Sequence, residues 1–119
     1  MYINVSNNEN LKKVNSKVFK KKTIILIYSH SCGPCQIFLD TWSKFTDIMN
    51  KTNRSYDLIA IETSCLAKIT NKQLHITTSN MMKKNPFVPN IAKVFYNTHN
   101  RLYMFNNNDR SLSSLKSFV

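Results

Sequence analysis

Glycine, acidic residues and long apolar runs are scarce in this chain. Its 119 residues include one glycine, six acidic residues and three cysteines. An odd number of cysteines argues against the disulfide framework of a secreted protein. The first ten residues are polar, and no segment is apolar over the length that a signal peptide or a membrane span needs. We therefore expect a cytoplasmic protein without membrane partners.

Positive charge is what the chain has in excess. Seventeen basic residues against six acidic ones give a net charge of +11. Such a charge attracts nucleic acid, anionic membranes or acidic proteins without identifying any of them. Aromatic and basic residues do not interleave as in single-strand binders, so we do not expect specific nucleic-acid binding. The lysines between Lys12 and Lys22 form either a solvated face or a docking surface for acidic partners.

Short apolar runs predict five strands within one globular domain over residues 1–119, which we expect to be monomeric. These runs are Tyr2–Val5, Ile24–Tyr28, Tyr56–Glu62, Ala92–Tyr96 and Arg101–Phe105. The third run has an unbroken apolar centre, which predicts burial on both faces. The last two runs are separated by residues 97–100 and predict a hairpin.

Apolar residues at helical spacing predict helices between these strands. Ser6 and Glu9 have capping-box spacing ahead of a first helix. Its inward residues are Leu11, Val14 and Val18. A helix of about four turns is predicted after residue 35. Its apolar stripe consists of Phe38, Trp42, Phe45 and Met49, flanked by Ile37, Thr41 and Ile48.

The segment from residue 63 to residue 87 has a weaker pattern. We expect two short helices there, one at residues 80–84 and an earlier one. The earlier helix is marked by Leu66, Ile69 and Leu74. After the hairpin, Ser111 is the expected cap of a last helix, because its hydroxyl accepts a free N–H of the first turn. The inward residues of that helix are Leu112, Leu115 and Phe118.

The chemistry-bearing motif is Cys32-Gly33-Pro34-Cys35, which directly follows the second strand and begins the long helix. Two cysteines separated by two residues either exchange a disulfide or hold a metal. At the start of a helix, the free N–H groups and the dipole stabilise a thiolate on the first cysteine. Gly33 lets the backbone turn without steric cost, and Pro34 suits a first turn that needs no N–H.

A metal site is the alternative reading of the cysteine pair. A tetrahedral zinc site takes four ligands, usually as two close pairs. The remaining candidate ligands are Cys65, His30, His75 and His99, and none of them form a second pair in the sequence. We therefore favour redox chemistry and expect neither a metal nor another cofactor.

The order of these elements resembles the thioredoxin family over about Ile3 to Val119. A strand precedes Cys-Gly-Pro-Cys, then come a helix and a strand, and Val88-Pro89 begins the hairpin before a last helix. The resemblance implies an α/β thioredoxin fold, with a mixed central sheet of four to five strands and helices on both faces. It also implies a thiol–disulfide oxidoreductase.

In the mechanism that the resemblance implies, Cys32 attacks a client disulfide and Cys35 resolves the mixed disulfide. The reverse steps oxidise a client, so the direction stays open. Val88 and Pro89, joined by a cis bond, would lie against the dithiol and pair with the client backbone. The implied partners are proteins bearing disulfides or dithiols, and a recharging reductase or sulfhydryl oxidase.

Several residues depart from the family pattern. Leu26 stands where reductases bury an aspartate, and Ile61 where the partner lysine is expected. Ser31 replaces a tryptophan, and Asn108 replaces a glycine near the client groove. Asp40 replaces a proline that kinks the helix. Because a buried proton acceptor for the second cysteine is lost, we expect retained dithiol chemistry with altered client choice and slower reduction.

Two further residues have open roles. His30 lies two positions before Cys32. Protonated, its imidazole would stabilise the thiolate and make the couple more oxidising; otherwise it is a surface histidine. Cys65 lies outside the motif, and a small buried apolar residue is its commoner role.

Two other functions stay open. The first is a structural or interaction module that keeps this fold and uses its basic surface, for example as a minor component of a particle containing nucleic acid. A glutathione-dependent relative is less favoured, because the acidic, glycine-rich segment that holds glutathione is absent. The abundance of Lys, Asn and Ile is typical of AT-rich genomes, including large DNA viruses, which would place the protein in a virus particle or viral factory.

Overall fold

The computed structural model describes residues 1–52 and 55–119. In chain order the elements are β1 (Tyr2–Val5), α1 (Asn8–Asn15), β2 (Lys22–Tyr28), α2 (Gly33–Thr52), β3 (Tyr56–Glu62), a 3₁₀ helix (Thr63–Lys68), α3 (Lys72–Lys84), β4 (Asn90–Phe95), β5 (Arg101–Met104) and α4 (Leu112–Phe118). The strands form one sheet in the order β1-β3-β2-β4-β5. β3 pairs in parallel with β1 and β2, whereas β4 pairs antiparallel with β2 and β5. The predicted mixed α/β sheet is confirmed.

The central strand β2 separates two hydrophobic clusters, because successive side chains of a strand point to opposite faces. Ile25 and Ile27 pack with residues of α1 and α3. Ile24, Leu26 and Tyr28 pack on the other face with residues of α2 and α4. Every residue of β2 after Lys22 is buried. The strand that leads to the cysteine pair is therefore held by packing on both sides.

The start and the end of α1 differ from the prediction. Asn7, not Ser6, is the cap, and its side chain accepts the N–H of Asn10 at 2.9 Å. The helix ends at Asn15, so helical spacing no longer governs the residues that follow. Val18 is consequently 68% exposed, and Phe19 is buried in its place at 2%.

The long helix α2 has the predicted stripe but is longer than four turns. Its twenty residues bury Phe38, Trp42, Phe45 and Met49. Thr41 and Ile48 are half-buried at the edges of that stripe. The predicted flank residue Ile37 is instead 80% exposed. The apolar face of α2 is therefore narrower on the side of Ile37 than its sequence indicates.

Residues 63–87 do not form the two short helices that were predicted. A 3₁₀ helix at Thr63–Lys68 is followed by one longer helix at Lys72–Lys84, which contains residues 80–84. The separation has a local cause, since Glu62 caps the first element and Asn71 caps the second. Leu66 and Leu74 therefore belong to different elements.

The C-terminal elements are close to those expected. The hairpin strands are β4 and β5, two residues earlier at the start of β4 than predicted, and His99 and Asn100 in the turn have positive φ of 55°. Ser111 caps α4, with its hydroxyl accepting the N–H of Ser114 at 3.3 Å. Leu115 is buried in the cluster that also contains Leu26.

Candidate active site

Cys32 occupies the cap position of α2. Its carbonyl accepts the N–H of Gln36 at 3.1 Å, the first bond of the helix. Its Sγ accepts the N–H of Cys35 at 3.2 Å, so the sulfur takes the place of a capping side-chain oxygen. A further bond from its own N–H to the Ser29 carbonyl, at 3.2 Å, makes the connection from β2 a tight turn. Cys32 is partly exposed, with its sulfur at the positive end of a twenty-residue helix.

Cys35 lies one turn further along α2 and is buried. Burial raises the pKa of its thiol to about 11, and its hydrogen bond with the Cys32 thiol acts in the same direction. A backbone hydrogen bond of Ser29 and the positive charge of Arg110 act in the opposite direction. At neutral pH Cys35 is therefore a thiol. Both cysteines are free in this structure.

A buried carboxylate holds the turn that leads to Cys32. Glu62, at the end of β3, accepts the N–H of His30 through Oε2 at 3.1 Å and that of Ser64 through Oε1 at 2.7 Å. Burial alone would raise the pKa of Glu62. The hydrogen bonds from Ser64, His30 and Thr63 outweigh that effect and lower the pKa to about 2. The charged carboxylate thus ties the turn to the sheet.

The segment before β4 lies against the first cysteine. The thiol of Cys32 donates to the Val88 carbonyl at 3.6 Å. The bond between Val88 and Pro89 is cis. Phe87, directly before them, is 76% exposed. The structure therefore brings the motif at residues 32–35 and the Val88-Pro89 pair together, with an exposed aromatic side chain next to them.

The residues around the cysteines are polar or open. Ser31 is exposed, and its hydroxyl lies 2.9 Å from that of Ser29. The exposed His30 presents its ring edge-on to Tyr28, with centroids 5.5 Å apart. Gly33 has no positive φ, and a Cβ added to it would meet nothing within 4 Å. In this structure the turn therefore does not require glycine for steric reasons.

Asn108 lies exposed in the loop between β5 and α4. The functional residue that sequence reasoning missed is its neighbour Arg110, whose charge acts on Cys35. Its only signal in the sequence is a cation directly before the predicted cap Ser111, which was counted within the net charge. Arg110 lines a cavity of about 270 Å³ together with Pro34, Ile37, Phe38 and Thr41.

Leu26 is buried in the same cluster as Cys35, so no side-chain base is supplied by that position. The residue in register with Leu26 on β3 is Ala60. Ile61 belongs to the opposite face of the sheet, where it packs with Ile27. Neither Ile61 nor the in-register Ala60 is a lysine, so the predicted loss of the partner lysine does not depend on which of the two is aligned with it.

Cys65 is remote from the dithiol in the packing of the fold. It belongs to the cluster on one face of the sheet, whereas Cys35 belongs to the other. Within residues 1–52 and 55–119, no group of three His, Cys, Asp or Glu side chains is arranged to hold a metal. Over the same ranges, no helix is long and apolar enough to cross a membrane.

Neither protein-family models nor curated proteins match this chain. Solved structures do match. The J-Trx1 fragment of ERdj5 is 21% identical with a TM-score of 0.60, covering 98% of this chain and 49% of that fragment. The chain therefore spans about half the length of that structure. The names of these structures give no support to a viral origin.

Two further solved structures have the same architecture. The first thioredoxin domain of mouse protein disulfide-isomerase A4 is 13% identical with a TM-score of 0.62, over 95% of this chain and 69% of that one. Chloroplastic thioredoxin z is 14% identical with a TM-score of 0.58, over 98% and 90% of the two chains. The strand order, the two helical layers and these likenesses agree: this chain has the thioredoxin fold.

Proposed function

We propose that the protein is a thiol–disulfide oxidoreductase that uses Cys32 and Cys35 on protein clients. The observation that carries the proposal is the partly exposed sulfur at the start of α2, with a buried thiol one turn behind it. The thioredoxin-fold neighbours include oxidoreductase and disulfide-isomerase domains. At 15% and 13% identity, these neighbours share the fold with this chain.

The proposed reaction has two exchange steps. The Cys32 thiolate attacks one sulfur of a client disulfide, which forms a mixed disulfide and releases one client thiolate. The Cys35 thiolate then attacks the Cys32 sulfur, releases the second client thiolate and leaves a Cys32–Cys35 disulfide. Reversal of both steps transfers the disulfide to a reduced client. A separate reductase or sulfhydryl oxidase restores the starting state.

The second step is where this chain differs most from a fast reductase. Cys35 must lose its proton before it attacks, and burial raises its pKa to about 11. Leu26 offers no carboxylate to accept that proton. We therefore propose slow resolution of the mixed disulfide. The backbone of residue 88, beside the Cys32 sulfur, would align the client during this interval.

A second candidate is an interaction module for an acidic partner. It is favoured by an open concavity of about 320 Å³ lined by Lys20, Lys21, Lys22, Ser55 and Asn97. These lysines lead into and begin β2, whereas the cysteine motif follows its other end. A binding function at that end would not need the dithiol.

The test is the reduction potential of the Cys32–Cys35 couple, measured against a series of glutathione buffers. We expect one two-electron transition between about −270 and −120 mV, the range of this fold. The matched control is Cys65→Ser, which should leave the transition unchanged. A Cys32→Ser, Cys35→Ser double variant should lose it. The absence of this transition in the wild-type protein would favour the interaction module. A double variant that keeps the cellular role of the wild-type protein would favour it as well.

A further inference from the structure

A groove beside the dithiol has an apolar floor. Its volume is about 270 Å³, and Phe38 is the buried part of its lining. Ile37 is 80% exposed although the neighbouring apolar residues of α2 are packed. Pro34, which also lines the groove, belongs to the cysteine motif. The groove is therefore an apolar surface that begins within the reactive turn.

Arg110 stands in this lining without a carboxylate partner among the described residues. The carboxylate next to it in sequence, Asp109, is held at the start of α4 by Ser111 and Ser114, at 3.0 and 2.9 Å. The carboxylate of Asp40 on α2 pairs with Lys44 at 3.2 Å. Across residues 1–52 and 55–119, no carboxylate lies within 4.0 Å of the Arg110 guanidinium.

Arg110 is also close enough to the dithiol for its charge to act on Cys35. A guanidinium binds a carboxylate with two parallel hydrogen bonds, and such charge-assisted bonds are stronger than neutral ones. The groove thus combines an apolar floor with a free cation beside the reacting sulfurs. A surface of this chemistry is complementary to a peptide that has an apolar side chain next to an acidic one.

We propose that this groove, formed by Pro34, Ile37, Phe38, Thr41 and Arg110, selects client segments in which an apolar residue and a carboxylate flank the reactive cysteine. This inference rests on the proposed function and names its substrate class. Ile37 contributes apolar contact area to any such client. Arg110 is the specificity-determining residue, because it favours acidic segments over neutral ones.

The test uses two capped synthetic peptides, Glu-Leu-Cys-Leu-Glu and Gln-Leu-Cys-Leu-Gln, each carrying its cysteine as a 2-pyridyl disulfide. The Cys32 thiolate attacks the peptide sulfur, and the pyridine thiolate leaves and takes up a proton as thiopyridone. Cys35 then displaces the peptide thiolate. The rate of thiopyridone release by the reduced full-length protein measures the first step, and dithiodipyridine serves as a neutral small disulfide without a peptide.

We expect the wild-type protein to react about threefold to fivefold faster with the acidic peptide than with the neutral one at low salt. This ratio should shrink as salt screens the pair. Arg110→Gln should bring the ratio close to that of charge attraction alone. Arg101→Gln removes one positive charge from the hairpin and should keep the wild-type ratio. Ile37→Gln should slow both peptides by a similar factor, and by more than it slows dithiodipyridine.

Two results would overturn the assignment of Arg110. One is an equal peptide ratio in the Arg110→Gln and Arg101→Gln variants. The other is an Arg110→Gln variant that slows dithiodipyridine as much as the acidic peptide, which would mean that Arg110 acts on the thiols and not on the client. A wild-type dithiol that fails to react with dithiodipyridine would instead remove the proposed function itself, so the two failures are distinguishable.

Discussion

Helices α2 and α3 begin with the same hydrogen bond made by different atoms. At α3, Oδ1 of Asn71 accepts the N–H three residues later, at 3.1 Å from Leu74. At α2, Sγ of Cys32 does so at 3.2 Å from Cys35. Asn71 is buried, and its amide group also donates to the carbonyls of Val14 and Lys17. Cys32 is partly exposed, and its thiol also donates a long bond to the Val88 carbonyl.

The two caps differ in what their side chains bind besides the helix turn, and this distinguishes a structural cap from a reactive one. The Asn71 side chain ties α3 to Val14 at the end of α1 and to Lys17 just after it, so its loss would remove a donor from both carbonyls. The Cys32 sulfur caps the first turn of α2 in the same way, but its bond to the segment before β4 is long, at 3.6 Å from the Val88 carbonyl. A sulfur is a weak acceptor, and this one keeps an open side towards solvent. The same local geometry therefore gives stability at one helix start and reactivity at the other.

Removal of the Cys32 sulfur is expected to have the largest effect. In Cys32→Ser, exchange with dithiodipyridine should fall to the rate of a buried thiol, because a hydroxyl does not attack disulfides at neutral pH. Stability in urea should stay within about 1 kcal/mol of wild type or increase, since serine is a preferred cap. A loss well beyond that would show that the α2 cap is structural too, and the contrast between the two helix starts would disappear.

The second prediction concerns the removal of Asn71, the structural cap of α3. Asn71→Ala should lower the free energy of unfolding by about 3 kcal/mol, because it removes a cap, a buried hydrogen bond to the Val14 carbonyl and a partly buried one to the Lys17 carbonyl. The exchange rate per folded molecule should not change. The matched control is Asn7→Ala at the exposed start of α1, where the loss should be about 1 kcal/mol. Equal losses at the two sites in urea unfolding would contradict the role given to Asn71.

The third prediction concerns the carboxylate that fixes the turn before Cys32. Glu62→Gln should cost about 2 kcal/mol at neutral pH. Since the pKa of Glu62 is lowered to about 2 from 4.5, the unfolded chain takes up the proton more readily. The stability from the charged form is therefore complete above about pH 4.5 and is lost as pH falls towards 2. Urea unfolding across this range should show the two proteins converging in acid; a constant difference would refute the electrostatic cause.

The smallest expected effect is that of His30. If its imidazole stabilises the Cys32 thiolate, His30→Ala should make the couple about 10 mV more reducing. Ser31→Ala is the matched control in the same exposed turn and should leave the potential in place. An unchanged potential in His30→Ala would make His30 a surface residue.

The sequence predicts the elements whose signal is local. The run Ile24–Tyr28 is apolar throughout, so its burial does not depend on which helix covers it. Ser111 precedes its helix directly, and its hydroxyl reaches the first turn without help from other elements. The cysteine pair is likewise a short-range motif. The sheet, the last cap and the position of the dithiol are therefore all readable from short segments.

The errors fall where distant residues decide the outcome. Ile37 has the right spacing for the α2 stripe, but no element packs over its side of the helix, and it stays exposed. Val18 lost its expected burial because α1 ends three residues before it. Arg110 is far from Cys35 in sequence, yet it shares a groove lining with Pro34 and Ile37 of α2, and its charge acts on Cys35. Contacts of this kind leave no periodic trace in a single sequence.

The position of β2 has a consequence for how this protein tolerates change. The strand is the shared wall of two cores and runs directly into the turn that bears Cys32. A substitution in Ile24–Tyr28 would disturb one of the two cores together with the strand that both share, whereas one at Ser31 alters only the rim of the site. Substitutions at the rim can therefore change which clients are accepted, whereas few substitutions are tolerated in the strand that supports the reactive sulfur.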